Sequence, residues 1–262
     1  MRLSIITINY NNAQGLERSI KSIVPHRSDE IEYVVIDGNS TDNSKNIIEE
    51  YKDKIDFRLS EPDNGIFNAM NKGVRNAKGE YLLFINSGDI INDNAGMGKI
   101  IKTLSGEDLI YYDIMVSDEN KDYHFIKNCD TYLDFKFFVE STLPHQSTFI
   151  KKEFLIQCGG YDEGMRLGGD WAFFIDAVCL KKCSYKYISD CFTTYFMDGI
   201  SSDSSNFRLL WEEKNNHIRT HYSVYNSFYE DWISKRKELY SIKTSITVRY
   251  AKKIGLLKWL KL

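Results

Sequence analysis

Proline is scarce in this chain. Three occur in 262 residues, and no proline-rich stretch marks a domain boundary. Glycine-rich phosphate loops are missing too. No G-x-G-x-x-G follows the first apolar run, which argues against a dinucleotide oxidoreductase, and no G-x-x-x-x-G-K-[ST] occurs, which argues against a P-loop hydrolase. No apolar run approaches the length of a membrane span. Met1–Tyr10 is apolar only from Leu3 to Ile8, too short for the core of a signal peptide, and reads as a buried strand. No internal repeat or low-complexity segment is present. After Glu238 there is no acidic residue at all.

The five cysteines (Cys129, Cys158, Cys179, Cys183, Cys191) are odd in number and contain no C-x-x-C pair. Cys179 and Cys183 could share a helix face, but no His or further Cys completes a zinc set, so reduced thiols in a cytoplasmic protein are expected. A formal charge of −3 makes no general case for nucleic acid. With 42% hydrophobic and 27% charged residues, the composition is that of a folded domain with an ample core. Aromatics at 14% fill such cores and also stack on bases and sugars.

The first half alternates apolar runs with helical spacing. Strands are expected at Leu3–Ile8, Tyr33–Ile36, Phe57–Leu59 and Tyr81–Ile85. Between them come a helix with Leu16, Ile20 and Ile23 on one face, a helix capped by Ser40 or Thr41 that buries Ile47, Ile48 and Tyr51, and a helix over Ile66–Ala77. This alternation predicts an α/β fold with a mostly parallel sheet flanked by helices. The second half is less regular, with strands expected at Ser147–Ile150 and Tyr187–Ile188 and a helix over Asp170–Leu180. Beyond Ser202 the pattern turns helical, giving an expected division into residues 1–202 and a helical extension over 203–262.

Parallel sheets bind ligands beyond the carboxyl ends of their strands. Three polar loops leave that edge, at Asn9–Asn12, Asp37–Asp42 and Asn86–Asp89. Turns favour such residues anyway, but three on one edge point to a cleft. Without a glycine-rich loop, a metal ion held by carboxylate is the obvious device for holding a diphosphate there.

Several motifs then fall in order: Ser4-Ile5-Ile6-Thr7-Ile8-Asn9-Tyr10-Asn11, Val35-Ile36-Asp37-Gly38-Asn39-Ser40-Thr41-Asp42, the stretch from Ser60 through Glu61-Pro62-Asp63-Asn64-Gly65 to Gly73, and Gly79 to Asp89. Pro144-His145-Gln146-Ser147, Gly159-Gly160-Tyr161-Asp162-Glu163 and Gly168-Gly169-Asp170-Trp171 follow. Over about the first 200 residues the chain resembles the family 2 glycosyltransferases of the GT-A fold, of the kind that assembles bacterial surface polysaccharides. The resemblance implies inverting transfer of a sugar from a nucleotide-diphosphate sugar, a UDP-sugar in this reading, to the hydroxyl of a saccharide or lipid-linked saccharide.

Residue by residue, the resemblance places Tyr10 and Asp37 at the nucleoside, and Asn71, His145, Gln146 and Ser201 near donor or acceptor. It makes Asp89 the ligand of a Mn²⁺ or Mg²⁺ ion. Many members carry further carboxylates in this motif, where this chain has Asn86-Ser87-Gly88, so weak metal affinity without nucleotide is expected. Asp170 falls at the general base, with Gly169 where Glu is common, and Asp162 is the runner-up. An Asp opening an apolar helix can also be its N-cap.

From Lys243 to Lys261 the tail is basic, with Ile242, Ile246, Tyr250, Ile254, Leu257 and Leu260 at helical spacing. Such a helix can lie on an anionic membrane, pack on the domain, or form a contact between copies in an oligomer. Two other functions remain open on sequence alone, a nucleotidyltransferase and a non-catalytic nucleotide-sugar binding protein.

Overall fold

The computed structural model describes residues 1–118, 121–197 and 204–253. It divides into two compact units, Met1–Glu213 and Lys214–Leu262, the division falling inside a helix.

In the first unit β1 (Leu3–Asn9), β2 (Ile31–Asp37), β3 (Phe57–Ser60) and β4 (Tyr81–Phe84) are parallel, in the order β3-β2-β1-β4. They alternate with α1 (Ala13–Ile23), α2 (Ser44–Glu50) and α3 (Ile66–Asn76). Every residue of β1 and β2 is buried, as in strands covered on both faces, and the polar Ser4 and Glu32 within them bond each other at 2.5 Å. One face (Ile5, Tyr33, Leu83) packs against Leu16 and Ile20 of α1 and Ile47 and Ile48 of α2. On the other face Gly73 of α3 comes so close that a Cβ there would stand 2.6 Å from Ile6.

Beyond β4 the sheet becomes mixed. Between β5 (Ile90–Ile91) and β6 (Leu109–Asp118) lies α4 (Met97–Lys102), and β6 is followed by β7 (Tyr123–Lys127) and α5 (Phe135–Glu140). Next come β8 (Thr148–Lys151), α6 (Lys152–Gln157), α7 (Gly169–Cys179) and β9 (Tyr185–Phe196). The order continues β4-β8-β6-β9-β5, with β7 beside β6. β8 runs antiparallel to both β4 and β6, whereas β6 and β9 are parallel. The α/β class holds, with its parallel character concentrated in the first half.

The expected cap of α2 is corrected. Its N-cap is Asn43, because the Ser40 hydroxyl is turned instead onto Asp37 at 2.5 Å. All five cysteines are unbridged.

The second unit consists of the end of α8 (Phe207–His221), then α9 (Asn226–Thr244) and α10 (Ile246–Lys253). Within it Tyr229 donates to Asn215 at 2.7 Å, and Arg219 pairs with Glu230 at 2.9 Å. The tail is not one continuous helix from Lys243. α9 stops at Ser245, whose ψ of 131° is extended, and the Thr244 hydroxyl folds back onto the carbonyl of Tyr240. Residues 254–262, with Ile254, Leu257 and Leu260, lie outside the described part. No described helix is long and apolar enough to cross a membrane.

Candidate functional site

The register of the parallel strands sets Asn9, Asp37 and Ser60 side by side at the carboxyl edge. Asp37 is completely buried. Its carboxylate accepts from Asn9 Nδ2 at 2.9 Å, Ser60 Oγ at 2.6 Å, and both the hydroxyl and the N–H of Ser40 at 2.5 and 3.0 Å. Burial pushes its pKa up, but the hydrogen bonds from Ser40, Ser60 and Asn9 outweigh this and hold it below the usual value. Neighbouring polar groups stitch the three loops together. Asn11 accepts from the Thr41 N–H at 2.8 Å, and Asn12 donates to the Ser87 carbonyl at 3.1 Å.

Tyr10, by contrast, is 66% exposed at the mouth of this edge. A side chain at Gly38 would run into the Asp63 carboxylate and come within 3.1 Å of the Tyr10 ring, so Tyr10 and Asp63 flank the space above Gly38. In sequence nothing sets Asp63 apart, since Pro62-Asp63-Asn64-Gly65 has the composition of an ordinary turn. Asn71 is turned inward, where its amide bonds both the N–H and the carbonyl of Tyr161 at 2.9 Å, along with Glu163. It fastens α3 to the Gly159–Glu163 loop.

The turn after β4 brings Asp89 to the same edge. Gly88 takes φ 114°, a conformation that favours glycine. Ser19 of α1 holds the turn by accepting from the Gly88 N–H at 3.0 Å and donating to the Asp89 carbonyl at 2.7 Å. The Asp89 carboxylate accepts from Gln146 Nε2 at 3.0 Å.

Asp170 stands in the first turn of α7 but does not cap it. The cap is Gly168, and the N–H groups of Arg166, Leu167 and Gly168 are bound by Glu213 at 2.6, 3.0 and 2.8 Å. Gly169 is required by packing, since a Cβ there would lie 2.8 Å from the Phe67 ring. A carboxylate-bearing residue at this position would have to displace the Phe67 ring. Oδ2 of Asp170 lies 3.1 Å from His145 Nδ1, and His145 Nε2 lies 3.1 Å from Asn86 Nδ2. Asp162 is instead the acceptor of a surface turn, bonded to the Gly164 N–H at 2.8 Å. Ser201 and its loop, 199–202, lie outside the described residues.

His145 and Asp170 retain 18% and 20% side-chain exposure. Burial alone lowers the His145 pKa, but the hydrogen bond and charge of Asp170, with the charge of Asp89, raise it above the ordinary value of 6.5. The folded state therefore holds this proton more tightly than the unfolded chain does. The resulting stability is fully present below the unfolded value and is lost as pH rises through the raised one. His145→Gln should accordingly be less stable than wild type at about pH 6, with the gap narrowing toward about pH 9 in urea unfolding. A gap that stays constant or widens over that range contradicts the charged pair.

With this geometry in place, comparison with known proteins gives a consistent result. An uncharacterised glycosyltransferase of Mycobacterium tuberculosis is 28% identical over 183 residues, covering 67% of this chain and 68% of that one. A PGL/p-HBAD biosynthesis glycosyltransferase of Mycobacterium bovis is 28% identical over 178 residues, covering 66% and 68%. Among solved structures, S. aureus TarS in complex with UDP-GlcNAc superposes with a TM-score of 0.61 at 20% identity, over 78% of this chain and 61% of that one. The mannosyltransferase PcManGT from Pyrobaculum calidifontis, in complex with GDP-Man and Mn²⁺, gives 0.61 at 15% identity, over 99% and 81%. At those identities the likeness establishes the GT-A-like fold. The family model for glycosyl transferase family 2 matches residues 4–177, and the chain belongs to that family.

Proposed function

We propose that this chain is an inverting glycosyltransferase that moves a hexosyl or N-acetylhexosaminyl group from a UDP-sugar to the hydroxyl of a saccharide or lipid-linked saccharide. The observation that carries the reading is the convergence of two carboxylates from distant parts of the chain, Asp89 and Asp170, at one edge. They are held there by the adjacent residues His145 and Gln146. TarS with UDP-GlcNAc supports a UDP-sugar donor, and the relative named for PGL biosynthesis supports a glycolipid acceptor.

In this reading Tyr10 packs on the base and Asp63, across Gly38, offers an acceptor to its N–H groups. Asp37 and Asn71 act indirectly, by fixing the loops that shape the cleft. Among the described residues no group of three or more His, Cys, Asp or Glu is placed to hold a metal. The Asp89 carboxylate, which accepts from the neutral donors Gln146 Nε2 and the Phe196 N–H, suits a hard cation that takes one protein oxygen and completes its shell from diphosphate and water. Bound there, Mn²⁺ or Mg²⁺ would supply positive charge against the leaving diphosphate. Asp170 accepts the proton of the acceptor hydroxyl as that oxygen bonds to the anomeric carbon. The bond from that carbon to the phosphate oxygen breaks on the opposite face, and the nucleoside diphosphate leaves with the electron pair.

Asp170→Asn keeps the size and most hydrogen bonds of the side chain but cannot take the proton. Transfer should fall by about 10²-fold or more while donor affinity stays near wild type. Turnover close to wild type would remove Asp170 as the base.

We further propose that the tail rests on anionic lipid at the inner face of the membrane. Ile246 and Tyr250 of α10 are exposed, and no acid follows Glu238 to repel such a surface. Deleting residues 243–262 should release the protein from anionic vesicles and leave donor hydrolysis intact. A truncated protein that still sediments with the vesicles places the contact elsewhere.

A further inference from the structure

His145 and Gln146 are neighbours in one short 3-10 turn, His145–Ser147, immediately before β8. They face two different carboxylates. His145 Nδ1 meets Asp170 at the start of α7, and Gln146 Nε2 meets Asp89 on the turn after β4. Both nitrogens of the His145 ring are engaged by protein groups, Nδ1 by Asp170 and Nε2 by Asn86. Asn86 carries a further signal, because its Oδ1 is buried and makes no hydrogen bond. Rotating that amide by half a turn sets Oδ1 opposite His145 Nε2, and the ring then donates from both nitrogens. The turn itself is anchored. Ser147 is fully buried and bonds Thr193 of β9 at 2.5 Å, and Thr148 bonds the Pro144 carbonyl at 2.7 Å.

We propose that His145 and Gln146 are positioning residues rather than ligands of donor or acceptor. This single rigid turn sets the base, Asp170, and the cation-binding Asp89 at a fixed separation. The assignment rests on the roles given above to those two carboxylates. A side chain that offers both its nitrogens to protein groups has none left for substrate. The strut also explains how one carboxylate at each place suffices, because neither has a second carboxylate to share its load or correct its aim. Displacement of a reacting group by about 1 Å costs on the order of 10²-fold in rate, so a turn that holds both groups has a large effect without touching the substrate.

The two halves are separable by experiment. His145→Ala should lower kcat by about 10-fold or more, leaving donor KM and the Mn²⁺ dependence of UDP affinity near wild type. His145→Asn, which puts an amide nitrogen close to the place of Nδ1, should restore most of the loss. Gln146→Ala should do the reverse, weakening the Mn²⁺-dependent part of UDP binding measured by calorimetry with no acceptor present. In the Asp170→Asn background, His145→Ala should cost nothing further in kcat. Losses that multiply, or a His145 variant that changes KM alone, would make His145 a substrate contact and overturn the proposal. Wild-type turnover in Asp170→Asn alone would refute the base itself, and the His145 half with it, while UDP binding by Gln146→Ala still decides the other half. Should the alanine variants melt early, His145→Phe and Gln146→Met carry the same comparison, since each keeps the bulk of the side chain and removes its hydrogen bond to the carboxylate.

Discussion

A fully buried carboxylate, Asp37, sets the condition that the rest of the carboxyl edge must satisfy. Removing an ionised group from water costs several kcal/mol unless every lone pair is met. Here the donors come from three places at once: Asn9 at the end of β1, Ser60 at the end of β3, and Ser40 in the loop that leaves β2. The strands are consequently pinned in register where they end, and the loops after β1 and β2 cannot drift apart. The loop after β4 is tied to the same frame through Asn12 and Ser19. Asp89 is thus delivered by a scaffold of hydrogen bonds that joins the turn after β4 to the loop after β1 and to α1.

The parallel half of the fold was legible because β1, β2 and β4 are buried on both faces and so carry apolar runs such as Ile5-Ile6 and Leu82-Leu83-Phe84. β3, at the edge, alternates half-buried and exposed residues and stood out less. The second half was harder for a physical reason. β6 carries Asp113 in the middle of its apolar run, and only the fold reveals that Cys129 and Tyr187 satisfy it at 2.7 and 2.8 Å. β9 spans twelve residues, but Ser189, Asp190, Thr193 and Thr194 interrupt its hydrophobic pattern, so only Tyr187–Ile188 stood out. Antiparallel pairing of β8 with β4 and β6 joins residues far apart in sequence and leaves no local mark.

The candidate site was legible in part for the same reason. Motif order pointed to Asp89, Asp170 and the His145-Gln146 pair, because each stands at the end of a recognisable element. Spacing did not reveal that Asp37 and Asn71 face inward, or that Asp63 lies beside Tyr10. Nor did it reveal that Gly168, rather than Asp170, caps α7. Those facts depend on which hydrogen bonds close when distant loops meet. Sequence alone gives no reason for Asn86 and Gly169 at places where the family commonly carries acids. In the structure Asn86 faces His145, and Gly169 lies where a Cβ would strike Phe67.

The proposed function requires that this edge bind a nucleoside diphosphate through a cation held at Asp89. It is tested most directly by calorimetric titration of UDP into wild-type protein and Asp89→Ala, each with and without Mn²⁺. The account predicts that Mn²⁺ tightens binding to the wild type, that this gain vanishes in Asp89→Ala, and that the metal-free affinities of the two proteins agree. A Mn²⁺ gain of undiminished size in Asp89→Ala would contradict it.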